Sequence, residues 1–204
     1  MVLYGADSLE TRAQAYGLLA IAAKEHWGLS PLPQLVRTPL GKPAFSHLPG
    51  REFNLSHSGT LALCALDSAP VGVDIQLVKS WRPSLPRRVC APEELAWLER
   101  QSDFWQSFTT LWALKESRSK QSGQGLRGSI AAISVPLPHP GELFYVHQGL
   151  CFQLFFGPDW VGAVCGTTSA PVKIRWRDLS QTPSVCAVWA CTDEAKKDAS
   201  SHEL

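Results

Sequence analysis

The 204-residue sequence has no surplus of charge of either sign: 19 Lys and Arg stand against 18 Asp and Glu. A chain so balanced has no general attraction for nucleic acid or anionic membranes, so any anion site in it must be local. No window approaches the roughly 20 apolar residues of a membrane span, and the start, MVLYGADSLE, lacks the basic opening and long apolar run of a signal peptide. By elimination, a cytoplasmic location is expected. The six cysteines, Cys64, Cys90, Cys151, Cys165, Cys186 and Cys191, show none of the close paired spacing of structural zinc sites. They read as free thiols that pack as small hydrophobes. A strong internal repeat is also missing.

An apolar share of 45% argues against disorder, and the length suits one sizeable core or two small lobes sharing an interface. Residues 1–4 read as a short strand. Asp7 or Ser8 can cap a helix over 10–27, where Ala15, Leu18, Leu19, Ala22 and His26 recur at helical spacing ahead of Gly28. The Pro-rich run 30–49 reads as a long loop with at most one short strand, at 35–37. Segments 53–56, 60–66 and 71–78 form a strand cluster separated by turn residues. In the third, Val71, Val73, Ile75 and Leu77 share one face, which leaves Asp74 on the other with Gly72, Gln76 and little apolar bulk. Residues 82–90 are a basic, Pro-broken connector, and the sequence APEE at 91–94 starts a helix well. Strands are expected at 130–135, 142–146, 150–156 and 160–165, with two more at 172–176 and 185–190. The order helix, strands, helix, strands predicts an α+β protein of two similar halves, 1–70 and 71–179, followed by an extension, 180–204, whose polar end frays.

Between the second helix and the later strands lies the stretch 105–126, WQSFTTLWALKESRSKQSGQGL. Phe108, Trp112, Glu116 and Lys120 follow at steps of four and form one stripe on a helix, aromatic at one end and ionic at the other. A stripe that turns charged without leaving its face emerges from the core into something other than bulk water. Gly123 and Gly125 end the helix. Taken singly, the polar features have structural explanations. Asp74 can meet backbone donors at a sheet end, Glu116 and Lys120 can be a solvated pair worth a few tenths of a kcal/mol, and Ser56-His57-Ser58 can be a capped turn.

Their combination is more specific. GKP at 41–43, FNLSHSG at 53–59, VGVDIQ at 71–76 and WALKESRSKQSGQGL at 112–126 follow in the order and spacing of the Sfp-type 4'-phosphopantetheinyl transferases, which the chain resembles from the first helix to about residue 179. The resemblance implies a pseudo-dimeric fold of two α/β half-domains with the active site between them, in a monomer. It implies magnesium-dependent transfer of phosphopantetheine from coenzyme A to a serine of an apo acyl or peptidyl carrier protein, releasing adenosine 3',5'-bisphosphate. By position, Asp74 and Glu116 would hold the metal, Lys120 and His57 would contact the phosphates, Lys42 the nucleotide end of coenzyme A, and Ser56 would be a further coenzyme A contact.

The chemistry of those residue types agrees with the roles. Magnesium takes one or two carboxylates and completes its shell with phosphate oxygens and waters, and phosphoryl transfer needs alignment and charge neutralisation above all. The attacking serine must lose a proton, for which Glu116 or a water on the metal is the natural acceptor; Lys115, about 100° round the helix, reads as partner-facing or structural.

Three departures bear on the roles. Gln76 stands where many relatives have a second acid, so it would reach the metal weakly, through a water, and weaker metal binding is expected. Arg118 and Ser119 replace a pair that is often apolar or aromatic, which alters how that helix face packs or meets the carrier. The stretch ahead of the first helix is shorter than is common in the family, so coenzyme A contacts from there are expected to be absent. A degenerate member that binds coenzyme A or a carrier without turnover is the alternative, against which the joint retention of Asp74, Glu116 and Lys120 speaks. A serine hydrolase built on Ser56 and His57 is disfavoured, because adjacent strand residues point to opposite faces.

Overall fold

The strand LCAL within 61–67 has no polar alternation, so it needs cover on both sides. In a computed structural model of the protein, which describes residues 1–179 apart from 12 and 127, that cover comes from two different layers. Strand β5 (Leu61–Asp67) lies in a sheet ordered β10-β1-β5-β4, with β1 at Val2–Ala6, β4 at Glu52–Ser58 and β10 at Ile174–Trp176. Its Ala62, Cys64 and Leu66 face helix α1 (Gln14–Trp27) and pack with Leu18, Leu19 and Ala22. Its Leu61, Leu63 and Ala65 face the other way, onto Val71 and onto Val73 and Ile75 of β6 (Gly72–Leu77).

Strand β6 belongs to a second sheet, ordered β6-β9-β8-β7, with β7 at Phe144–His147, β8 at Leu150–Phe156 and β9 at Trp160–Gly166. Helix α4 (Phe104–Ser122) covers its outer face, where Phe108, Leu111 and Leu114 meet Phe152, Val161 and Ala163. The stack is therefore helix, sheet, sheet, helix. The apolar layer between the sheets draws one face of β5 and one of β6, the period-2 consequence of strands buried on both sides. Helix α4 comes so close to β6 that a Cβ on Gly72 would collide with the carbonyl oxygen of Ser117 and the backbone nitrogen of Gln121. Gly72 is thus needed for close approach rather than for its backbone freedom.

The two sheets also meet edge to edge. Strands β4 and β6 are edge strands, and three side chains of β4 accept from β6 backbone amides: Asn54 Oδ1 from Val73 N at 2.9 Å, Ser56 Oγ from Ile75 N at 3.3 Å and Ser58 Oγ from Leu77 N at 3.1 Å. Alternate residues of one strand thereby satisfy alternate amides of the other.

Most expected elements are present, with informative differences. Helix α1 begins at Gln14 rather than at residue 10. Asp7 and Ser8 bond to each other, while Gln14 Oε1 accepts from the amides of Glu10 at 2.6 Å and Thr11 at 2.9 Å. The loop 30–49 holds a hairpin of β2 (Leu35–Arg37) and β3 (Pro43–Phe45), since Pro at a strand's first residue leaves the ladder intact. The connector 82–90 includes a short helix α2 (Leu85–Val89), with Pro86 in its first turn, where a missing amide costs nothing. Helix α3 (Pro92–Leu98) starts as expected. The strand expected at 130–135 does not form. A 3-10 turn spans Ile130–Ala132, and Lys115 Nζ takes the carbonyls of Ile130, Ala131 and Ile133 at 3.3, 3.5 and 2.7 Å, so they join no ladder. The later strand at 172–176 is β10, which pairs in parallel with β1 and so returns the chain to the first sheet. The strand expected at 185–190, Cys186, Cys191 and the fraying tail lie outside the described residues. Cys64, Cys90, Cys151 and Cys165 are free and buried, as read. Among the described residues no helix is long and apolar enough to cross a membrane.

Candidate active site

The stripe on α4 runs as its spacing requires. Phe108 is fully buried, Trp112 packs beside it with ring centroids 6.5 Å apart, and Glu116 and Lys120 carry the face on toward β6. Asp103 caps the start of the helix through Gln106 N at 2.9 Å, and Gly123, at φ 71°, ends it in the left-handed conformation.

Asp74 is the fixed point of the site. It is 1% exposed, and its carboxylate accepts three side-chain donors: Lys120 Nζ at 2.6 Å and Ser56 Oγ at 2.7 Å on Oδ1, and Gln76 Nε2 at 2.9 Å on Oδ2. Lys120 Nζ also donates to Ser56 Oγ at 3.0 Å and to the carbonyl of Val73 at 3.2 Å. One hydroxyl, that of Ser56, thus joins a carboxylate, an ammonium and the amide of Ile75. The residues come from β4, β6 and α4, which only the edge-to-edge meeting and the close approach at Gly72 bring together.

Glu116 lies one helical turn before Lys120 and is half-buried. Its carboxyl is raised above the usual carboxylate value, first by burial and then by the like charge of Asp74, against a smaller opposing effect of Lys120. A carboxyl raised by folding binds its proton more tightly in the native state, so stability falls as pH climbs from about 4.5 through the folded value. Glu116→Gln is therefore expected to melt higher than the parent at pH 7, with the gap closing below pH 4.5. Melting curves across pH check this, and a gap constant with pH would contradict it.

Above the ion pair opens a cavity of about 380 Å³, within the range of small-molecule sites. Lys42, His57, Glu116, Lys120, Ser119 and Gly123 are on its wall. Lys42 is half-buried and donates to the carbonyl of Val71 at 3.1 Å, and burial lowers its ammonium pKa. Ser56 and Asp74 are not on that wall: Ser56, 6% exposed, lies beneath it and holds Asp74 and Lys120, instead of facing the cavity as a coenzyme A contact would. Ser56 and His57 point to opposite sides of β4, and the hydrolase reading has no geometry to support it. Tyr16, Arg37 and Asn54 also line the cavity, and the sequence reading did not single them out. For Arg37 a signal existed, a charged residue at the strand end four positions ahead of Gly41, whose carbonyl it meets at 3.1 Å.

The donor set suits a hard divalent cation with most of its shell supplied from elsewhere. Among the described residues no three His, Cys, Asp or Glu cluster together, so the protein offers Asp74 and Glu116. Burial first, and then the like charge of Asp74, disfavours the ionised Glu116, and a bound cation would offset both. Gln76 spends its amide nitrogen on Asp74 and keeps its oxygen for any further contact.

Residues 70–165, which include β6, α4 and most of the second sheet, match the family model of the 4'-phosphopantetheinyl transferase superfamily. The chain is 36% identical over 132 residues to a 4'-phosphopantetheinyl transferase of Bacillus subtilis, a match covering 62% of this chain and 58% of that protein. It is 37% identical over 108 residues to the 4'-phosphopantetheinyl transferase Sfp of Bacillus subtilis strain 168, covering 50% and 47%. It is 40% identical over 116 residues to the 4'-phosphopantetheinyl transferase AcpT of Salmonella typhimurium, covering 54% and 59%. The chain thus spans between 47% and 59% of the length of these relatives. Asp74, Gln76, Glu116 and Lys120 all fall inside the matched region, so the part of the chain that builds the site is similar to the 4'-phosphopantetheinyl transferase superfamily.

Proposed function

We propose that the chain transfers 4'-phosphopantetheine from coenzyme A to a serine hydroxyl of an apo acyl or peptidyl carrier protein, releasing adenosine 3',5'-bisphosphate, as a cytoplasmic monomer. The observation that carries this reading is the convergence of Asp74, Glu116 and Lys120 beside a cavity whose wall also presents Lys42 and His57. The proposed half-domains, 1–70 and 71–179, meet along β4 and β6, with the site at their junction and β10 of the second crossing to the sheet of the first. The covering of both sheets' inner faces within one chain supports a monomer.

Asp74 and Glu116 would hold magnesium, which when bound neutralises charge on the pyrophosphate and on the leaving oxygen. Lys120 neutralises Asp74 in the free protein. Its side chain is 26% exposed and on the cavity wall, so it can turn from carboxylate to phosphate. His57, exposed on the same wall, donates to a phosphate oxygen, and half-buried Lys42 serves the nucleotide end. Glu116, on the cavity wall, is the carboxylate placed to take the proton of the attacking serine. Ser56 and Gln76 keep Asp74 in place.

Incubation with coenzyme A, magnesium and a panel of apo carrier proteins tests the reading. A mass gain of one phosphopantetheine arm on a carrier serine is expected. Binding of coenzyme A with no carrier modified would instead establish the non-catalytic alternative.

A further inference from the structure

One residue of the cavity wall carries a buried hydroxyl that has no hydrogen-bond partner. Ser119 is 4% exposed, and among the described residues its Oγ is the buried side-chain polar atom left unpaired. A desolvated, unpaired hydroxyl is unfavourable, and native structures leave few of them. Other serines of α4 show the usual remedy: Ser117 Oγ donates to the Leu114 carbonyl at 2.8 Å, and Ser122 Oγ to the Ser119 carbonyl at 3.0 Å. Ser119 does not take it.

The position of Ser119 suggests what would complete it. On α4 the residues Glu116, Ser119, Lys120 and Gly123 line the cavity together, at helical offsets of three, four and seven. Ser119 therefore lies within the turn that runs from Glu116 to Lys120, and one turn before Gly123 on the same side of the helix. At Gly123 the Lys42 side chain passes close by, for a Cβ on Gly123 would sit 3.7 Å from Lys42 Cδ. A group bound between Lys120 and Lys42 has a cation on each flank, so it is an anion, and a hydroxyl there acts as donor.

We propose that Ser119 is a ligand-binding residue of this chain, its hydroxyl donating to a phosphate oxygen of the nucleotide held between Lys120 and Lys42. The proposal rests on the coenzyme A reading of the cavity.

Calorimetric titration of the full chain with coenzyme A and with adenosine 3',5'-bisphosphate, for wild type and Ser119→Ala, tests it, alongside melting of the ligand-free proteins. The expected result is about tenfold weaker binding of both ligands by the variant, with a melting temperature equal to or above that of wild type, because an unpaired buried hydroxyl has been removed. Unchanged affinity in the variant overturns the proposal. A joint fall in affinity and melting temperature overturns it too, by making the serine a structural residue. A wild-type chain that binds neither ligand overturns the coenzyme A reading itself.

Discussion

Replacing Asp74 with alanine is expected to slow carrier-protein modification by about two to four orders of magnitude, the several kcal/mol that a metal's neutralisation of the transition state supplies. Asp74 is the buried carboxylate on which Lys120, Ser56 and Gln76 all converge. Its loss removes one of the two carboxylates proposed to hold the metal, and it deprives Lys120 of its partner. The fold should survive, because the Lys120 side chain is 26% exposed and can turn its ammonium to water. The donors left behind on Ser56 and Gln76 put the stability cost at about 1–3 kcal/mol. Rates followed by mass, together with urea unfolding, separate the two effects. A rate within a few-fold of the parent would remove Asp74 from the metal pair.

Lys115→Ala is expected to have the largest effect on stability, about 3–5 kcal/mol, through a different mechanism. Lys115 neighbours Glu116 in sequence but is fully buried on another face of α4, where its ammonium meets Glu94 Oε1 at 2.9 Å and the carbonyls following α4. Glu94 Oε2 in turn accepts from Ala91 N at 2.7 Å and closes the first turn of α3. One ion pair therefore ties α3, α4 and the segment 130–133 together. Deleting the lysine strands a carboxylate whose side chain is 5% exposed, a loss comparable to much of a domain's net stability. Removing both charges, as in Lys115→Met with Glu94→Gln, should recover most of it. No uncompensated charge then remains, and the carbonyl of the substituted amide side chain can still accept from Ala91 N. Urea midpoints of the single and double variants check this. A double variant no more stable than Lys115→Ala would show that the carbonyl bonds, rather than the ion pair, hold the three elements.

The two lysines illustrate how far periodicity reads a site. Steps of four placed Phe108, Trp112, Glu116 and Lys120 on one face, and the 100° turn to Lys115 removed it from that face. That Lys115 is structural, and not turned toward a partner, depends on Glu94, 21 positions earlier, for which no spacing rule exists. Likewise, alternation along β4 separated Ser56 from His57, yet it was silent on which of the two would face the cavity. Ser56 went inward because β4 is an edge strand whose serines satisfy the amides of β6. The strand misread at 130–135 shows the converse. Its apolar pattern fits an extended, half-buried segment, but a strand also needs free carbonyls, and a lysine from α4 had taken them.

The part legible in the residues alone is therefore the local one: the helical stripe, the faces of β5 and β6, the glycine stop at Gly123, and a motif order specific enough to point to the family. These follow from short-range geometry, in which neighbours three, four or two residues apart share a face. It took the folded chain to show that Asp74 and Lys120, 46 positions apart, form a pair at 2.6 Å, that Ser56 underlies the cavity instead of lining it, and that Ser119 is left with an unpaired hydroxyl on its wall. Such pairings are set by how closely α4 can approach β6 over Gly72 and by the meeting of two sheet edges, and those distances are not encoded in any local period.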